Sequence, residues 1–306
     1  MTRTLLNMLL TALAIHRPGV AVAGIVASVL CGCMPAARGD IFSLTVDTKS
    51  NIYASGLAST EGLGPHGPGI LPPFVTLSPG VGRVLRFTHV SGTVSYNDVD
   101  APAQYLGEYN GPDGGADLFA DANFPSNFLT TSSPRGLISP SEGSPTTFYL
   151  DMDPFGGISG MKLFESTPAD RRVMFLAGVF LTDLSPAAQA PPSLDFSSTA
   201  IGRSFTTLSP LLQQTFYIGD GLTGQGSGST QSFLVPDDAT RLFLGILDGA
   251  YFVGGPDYYN NNVGSFAVQG TVAVPEPATW VALVTGAVAV GCHRWRRSGR
   301  HGTSPR

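Results

Sequence analysis

Ser265-Phe266-Ala267-Val268-Gln269-Gly270-Thr271-Val272-Ala273-Val274 is a run of β-branched, aromatic and small residues that begins just after three asparagines, Asn260-Asn261-Asn262. Segments of the same character recur upstream at Ile41 to Val46, Val84 to Val90, Thr147 to Leu150, Val173 to Leu181, Thr215 to Ile218, Ser232 to Val235 and Leu242 to Leu247. Gly, Pro, Asn and Asp separate nearly all of them, which is the punctuation of strands and turns. No window of about a dozen residues between the termini sustains a helical period, and no repeat of fixed length is visible. The expectation is an all-β body over residues 40–273, with a β-sandwich as its natural architecture.

Composition agrees. The 306 residues include 38 Gly and 24 Pro with only 13% charged residues, too turn-rich for a mostly helical chain, while 42% hydrophobic residues suffice for a core. All 22 acidic residues lie between Asp40 and Glu276, a span that holds nine of the 17 basic residues and so carries a net charge of −13. Such a surface repels phosphate backbones, which argues against a nucleic-acid partner, and attracts divalent cations. Cys31, Cys33 and Cys292 all sit in the apolar terminal segments. The body therefore has no thiol for a disulfide, a thiolate metal site or a cysteine nucleophile.

The two ends speak to the compartment. Gly19 to Gly32 is a run of fourteen small and apolar residues after Arg17, and Ala37-Arg38-Gly39 offers small residues where a signal peptidase needs them. Residues 1–39 read as a signal peptide cleaved before Asp40. The alternative is a lipobox at Leu30-Cys31-Gly32-Cys33, with Cys33 acylated. At the far end Val274-Pro275-Glu276-Pro277-Ala278-Thr279-Trp280 leads into an apolar stretch to Cys292 and then His293-Arg294-Trp295-Arg296-Arg297. As a helix, Ala278 to Cys292 would span about 22 Å at roughly 1.5 Å per residue, short of the roughly 30 Å hydrocarbon core. Snorkelling arginines extend its reach and would hold the last residues, 299–306, in the cytoplasm.

Over residues 274–298 this tail resembles the PEP-CTERM sorting signal, whose Pro-Glu-Pro, short membrane helix and basic end correspond to Pro275, Glu276 and Pro277, the apolar stretch, and Arg294, Arg296 and Arg297. The resemblance implies an exosortase-type membrane transpeptidase as partner, in bacteria that often make exopolysaccharide. It also implies anchoring in the inner membrane before processing and a cell-surface or matrix location afterwards.

The most informative part of the body is Ala239 to Gly249, a strand-like segment that ends in Asp248, followed by a tyrosine-rich loop and the asparagine cluster. Calcium takes six to eight oxygens at flexible angles, and a carboxylate, amide oxygens and loop carbonyls at one edge supply them. Residues 79–97 and 239–273 resemble parts of the PA-I-type calcium-dependent galactose-binding lectins, small jelly-roll-like β-sandwiches. The resemblance implies Asp248 as carboxylate ligand, Asn261 and Asn262 as amide ligands, and the backbone carbonyls of Tyr96 and Tyr258 as further donors to Ca2+. It gives Tyr96, Asp248, Asn261 and Asn262 a share in sugar binding. Two departures stand out: the loop between Asp248 and Asn261 is longer than the family's, and no histidine lies between Tyr96 and Asn261, where the lectins draw one for sugar contact. Asp-Gly and Asn runs also make hairpin turns without any metal.

Two long stretches, Ser55 to Gly80 and Asp98 to Pro145, read as binding loops or disordered edges. Within the second, Asp113, Asp117 and Asp121 are either a second cation site or solvated turn residues. Gly221 to Ser229 lacks the Lys-Ser/Thr ending of a phosphate loop and reads as a hairpin connection. With only His66 and His89 in the body, no His-Glu-x-x-His helix and no Gly-x-Ser-x-Gly turn, hydrolase chemistry has no visible machinery. As a glycosidase pair, Asp237 and Asp238 would point to opposite faces of a strand, whereas Asp151 and Asp153 would share one but, with Pro154 and Gly156-Gly157 following at once, read as strand-end and turn residues. The expectation is a non-enzymatic surface or matrix protein that binds calcium and a polysaccharide. Its alternatives are a purely structural matrix protein and a secreted polysaccharide-active enzyme.

Overall fold

A half-buried strand buries every second residue, and strand β15 (Val263–Ala273) does so with Phe266, Val268, Gly270 and Val272. The structure is a computed structural model that describes residues 39–96, 111–114, 148–165, 172–249 and 252–273. These belong to one unit, Gly39–Pro275. Its regular elements are strands and short 3-10 turns, with no α-helix among the described residues.

Strand β15 is second in a five-stranded sheet of order β1-β15-β3-β12-β8, with β1 Asp40–Asp47, β3 Val84–Ser95, β8 Thr207–Leu208 and β12 Ser232–Leu234. It runs antiparallel to β1, from Asp40↔Val272 to Asp47↔Ser265, and to β3, from Val84↔Ala273 to Ser95↔Val263. A four-stranded sheet follows the order β2-β13-β6-β9, with β2 Phe74–Thr76, β6 Ala177–Leu181, β9 Thr215–Tyr217 and β13 Arg241–Gly245. A second four-stranded sheet, β14-β4-β5-β7, comprises β4 Phe148–Met152, β5 Met161–Glu165, β7 Leu194–Asp195 and β14 Val253–Gly254. Strands β10 (Leu222–Gly224) and β11 (Ser227–Thr230) form the hairpin read from the glycine-rich segment.

A chain of aromatic rings links the first two sheets. Phe87 of β3 meets Phe233 of β12 edge-on at 5.7 Å, Phe233 meets Phe216 of β9 at 5.3 Å, and Phe216 stacks on Phe180 of β6 at 5.1 Å. Strand β6 is buried at all five positions, as suits an inner strand covered on both faces. Arg83 is buried just before β3 and donates to the carbonyls of Ser78 (2.8 Å), Pro236 (2.7 Å) and Asp237 (2.9 Å). One guanidinium thereby fastens two connections together.

The structure departs from the sequence reading in places. Val173 to Leu176 lies outside any strand, because Met174 takes a positive φ of 57° and Leu176 N–H donates to Pro112 O at 3.1 Å, bending the chain before β6. Ser55 to Gly80 is no disordered edge: it buries Leu63 and Leu77 and contributes β2, paired with β13. The short strands β5, β7, β8 and β14 lie outside the strand-like segments of the sequence. His89 is an exposed residue of β3 opposite Gln269. Pro275, Glu276, Pro277, Arg294, Arg296, Arg297, the leader, the membrane stretch, Asp117 and Asp121 lie outside the described residues. Among the described residues no helix is long and apolar enough to cross a membrane.

Candidate functional site

The antiparallel pairing of β3 with β15 decides where Tyr96 goes. Ser95 pairs with Val263, so the next step along both strands sets Tyr96 beside Asn262. Tyr96 is nearly buried, its ring edge-on to Phe252 at 5.9 Å. Strand β13 ends at Gly245, and three residues later Asp248 arrives at the same edge, only 3% exposed.

Asp248 is held on every side. Its Oδ1 accepts from Gly249 N–H at 2.7 Å, and its Oδ2 accepts from Asn262 Nδ2 at 2.8 Å. The same amide nitrogen donates to Thr48 O at 3.3 Å. Asp248 N–H donates to the Tyr259 hydroxyl at 3.0 Å, and that hydroxyl donates to Ile246 O at 3.0 Å. Tyr259 is fully buried, and burial, with Tyr53 and the Asp248 carboxylate adding to it, drives its pKa well above the usual phenol range. It stays a neutral donor and acceptor, locking the turn that carries Asp248.

The asparagine cluster is a single 3-10 turn, Tyr259–Asn261, capped by Asn262. Asn262 is buried and extended at φ −69°, ψ 143°, which feeds the chain into β15. The side-chain oxygens of Asn261 and Asn262 are both buried, and Asn262 Oδ1 has no hydrogen-bond partner. Such an oxygen costs about 1–3 kcal/mol if nothing engages it. Tyr258 precedes the turn in a left-handed conformation, φ 65°, and its carbonyl accepts Asn261 N–H at 3.4 Å.

The Ser55 to Gly80 segment braces this turn. Tyr259 N–H donates to Gly67 O at 2.9 Å, and Gly69 N–H donates to Asn260 Oδ1 at 3.0 Å. His66 Nδ1 lies 2.7 Å from Asp257 Oδ2, while Asp257 Oδ1 accepts from the N–H groups of His66 (2.8 Å) and Tyr258 (2.9 Å). The His66 and Tyr258 rings stack at 5.0 Å and 6°. A histidine therefore stands beside the asparagine turn, although it enters from upstream of Tyr96.

Asp248 and Asn262, chosen on sequence grounds, thus touch at 2.8 Å, with Asn261 in the adjoining turn, Tyr258 at its start and Tyr96 one residue past the Ser95–Val263 pair. Sequence reasoning missed Tyr259, Thr48, Asp257 and His66. The Tyr258-Tyr259 pair was the only local signal, and nothing in it says which ring is buried. Among the described residues no three His, Cys, Asp or Glu side chains converge. A metal here would be held by one carboxylate plus amide and backbone oxygens, an all-oxygen set suited to a hard cation such as Ca2+. No protein-family profile matches the chain, and neither a curated protein nor a solved structure is significantly similar to it.

Proposed function

We propose that this is an exported cell-surface or matrix protein, sorted by exosortase through its C-terminal tail, whose β-sandwich holds calcium and presents it to a polysaccharide. Asp248, Asn261, Asn262 and the carbonyl of Tyr96 are the calcium donors in this reading, with Tyr258 at the margin because its carbonyl already closes the 3-10 turn. The observation that carries it is the buried Asn262 Oδ1, without a hydrogen-bond partner, on a side chain that also touches Asp248. Calcium held by these residues would supply the positive charge to which sugar hydroxyls could be attracted. The half-exposed Tyr258 stacked on His66 offers an apolar surface beside them for a sugar face. The ring contacts between the first two sheets support the sandwich architecture, and the jelly-roll-like connectivity is part of the same proposal.

The test is thermal unfolding of the full chain in millimolar calcium and in chelator, beside Asp248→Asn. Calcium at ten times its dissociation constant adds about 1.4 kcal/mol, enough to raise the midpoint by about 3–6 °C. With one carboxylate, a dissociation constant near the roughly 10⁻⁴ to 10⁻³ M of extracellular modules is expected. No rise in the natural protein, or an equal rise in Asp248→Asn, refutes the site. The sorting proposal has a separate test: deleting Pro275 to Arg306 should release the protein from cells, and unchanged retention overturns it.

One observation favours a rival. The Asp248 carboxylate already accepts from Gly249 N–H and Asn262 Nδ2, as a loop pin would. In that case the protein is a purely structural matrix component, and stability is indifferent to calcium.

A further inference from the structure

Away from the asparagine turn, and sharing no residue with it, lies a cavity of about 440 Å³ bounded by the end of β5, the loop before β8, β9 and the β10–β11 hairpin. Its volume is in the range of small-molecule sites. Among the described residues its walls carry two carboxylates, Asp113 and Glu165, and one guanidinium, Arg203. Glu165 is only 4% exposed and accepts from Ser198 Oγ at 2.9 Å. Asp113 Oδ1 accepts from the buried Tyr217 hydroxyl at 3.1 Å and from Asp220 N–H at 3.0 Å, which sets that carboxylate firmly at the rim. Arg203 Nη2 is 3.8 Å from Glu165 Oε1, too far for a direct hydrogen bond. Phe205 also lines the cavity, half-buried and backed by Phe233 at 5.7 Å and Phe196 at 5.9 Å.

These groups define a ligand chemistry. Among the described lining residues two carboxylates face one guanidinium, a balance that disfavours phosphates and uronates. A hydroxyl can donate to a carboxylate and accept from a guanidinium at once, so a hydroxyl-bearing ligand can bridge Glu165 and Arg203. The ring of Phe205, immobilised by its neighbours, offers an apolar face to C–H groups. Neutral sugars combine hydroxyl edges with C–H faces. We propose that this cavity is a second saccharide site, selective for neutral sugars and independent of calcium.

The proposal is tested by isothermal titration of the full chain in chelator with maltose, cellobiose and lactose as neutral probes and glucuronic acid as the anionic one. Ser204 is exposed at the cavity wall, so Ser204→Trp blocks the space without removing a buried contact. Arg203→Gln removes the charge that faces Glu165. The expected result is binding of at least one neutral disaccharide at about millimolar strength. Glucuronic acid should bind at least tenfold more weakly, Ser204→Trp and Arg203→Gln should each weaken the neutral sugar at least tenfold, and Asp248→Asn should leave its binding unchanged. The proposal is overturned if no neutral disaccharide binds in chelator, if Ser204→Trp binds as well as the natural protein, or if glucuronic acid binds best. Loss of binding in Asp248→Asn would overturn it too, because it assigns the sugar to the asparagine turn.

Discussion

Two buried tyrosines in the same core offer a controlled comparison. The Tyr259 hydroxyl accepts from Asp248 N–H and donates to Ile246 O, both at 3.0 Å. The Tyr53 hydroxyl is equally buried and has no hydrogen-bond partner. Tyr259→Phe removes both bonds and leaves a buried Asp248 N–H unsatisfied, whereas Ile246 O retains Ile52 N–H at 3.4 Å. The lost N–H partner costs about 1–3 kcal/mol and the weakened carbonyl about 0.5–1 kcal/mol, so a loss of about 1.5–4 kcal/mol is expected. At roughly 2–4 °C per kcal/mol for a unit of this size, the midpoint should fall by about 3–16 °C. Tyr53→Phe removes a buried hydroxyl that gains nothing in the fold, so it should be neutral or stabilising by up to about 1 kcal/mol. Thermal and urea unfolding followed by far-ultraviolet circular dichroism measure both. A Tyr259→Phe cost below about 0.5 kcal/mol, or equal costs at the two positions, would refute the hydrogen-bond assignment that fixes Asp248.

Arg83→Met keeps an apolar stem but abandons the carbonyls of Ser78, Pro236 and Asp237, and should cost about 2–4 kcal/mol in urea unfolding; a change within about 0.5 kcal/mol contradicts the clamp. Gly264 sits at φ +100° with its added Cβ only 2.2 Å from Thr93 O, whereas Gly226 at φ +64° has nothing within 4 Å. Gly264→Ala should therefore destabilise by at least about 2 kcal/mol and Gly226→Ala by about 1 kcal/mol, and the reverse order in thermal unfolding contradicts the strand register. Partial burial, opposed by the Leu222 N–H and reinforced by the Asp113 carboxylate, lifts the Asp220 pKa above the ordinary aspartate value. The folded state then binds the Asp220 proton more tightly than the unfolded chain. Its contribution to stability is full below the unfolded value of about 3.9 and declines as pH rises through the folded one. Midpoints measured from about pH 3.5 to about pH 6 should thus show Asp220→Asn gaining on the natural protein, and a constant difference across that window refutes the shift.

Much of the body could be read from the chain because strand formation here is signalled locally. Ile41 to Val46, Ser232 to Val235 and Ser265 to Val274 carry β-branched and aromatic residues between turn-formers, and each begins or ends within two residues of a strand in the structure. The same reasoning picked out Asp248 and the asparagine cluster, since an acid after an apolar strand and amides before another are visible without any partner. It erred where local character and tertiary setting disagree. Phe74 to Thr76 lies amid prolines and glycines and becomes a strand only because β13 pairs with it, and Val173 to Leu176 is as apolar as a strand but is turned aside by Pro112.

Composition and punctuation alone therefore determined an all-β, thiol-free, acidic body and marked Asp248 and the asparagine cluster, whereas Tyr96 and Tyr258 entered through the lectin resemblance. Only the tertiary structure decided that Thr48, Asp248 and Asn262 share one amide, that Tyr259 and not Tyr258 is the buried lock, and that His66 comes to lie beside Asp257. Those contacts join positions as much as 214 residues apart. No local preference encodes them, because they follow from the pairing of β15 with β1 and β3, and that register is set by which face of each strand the core can bury.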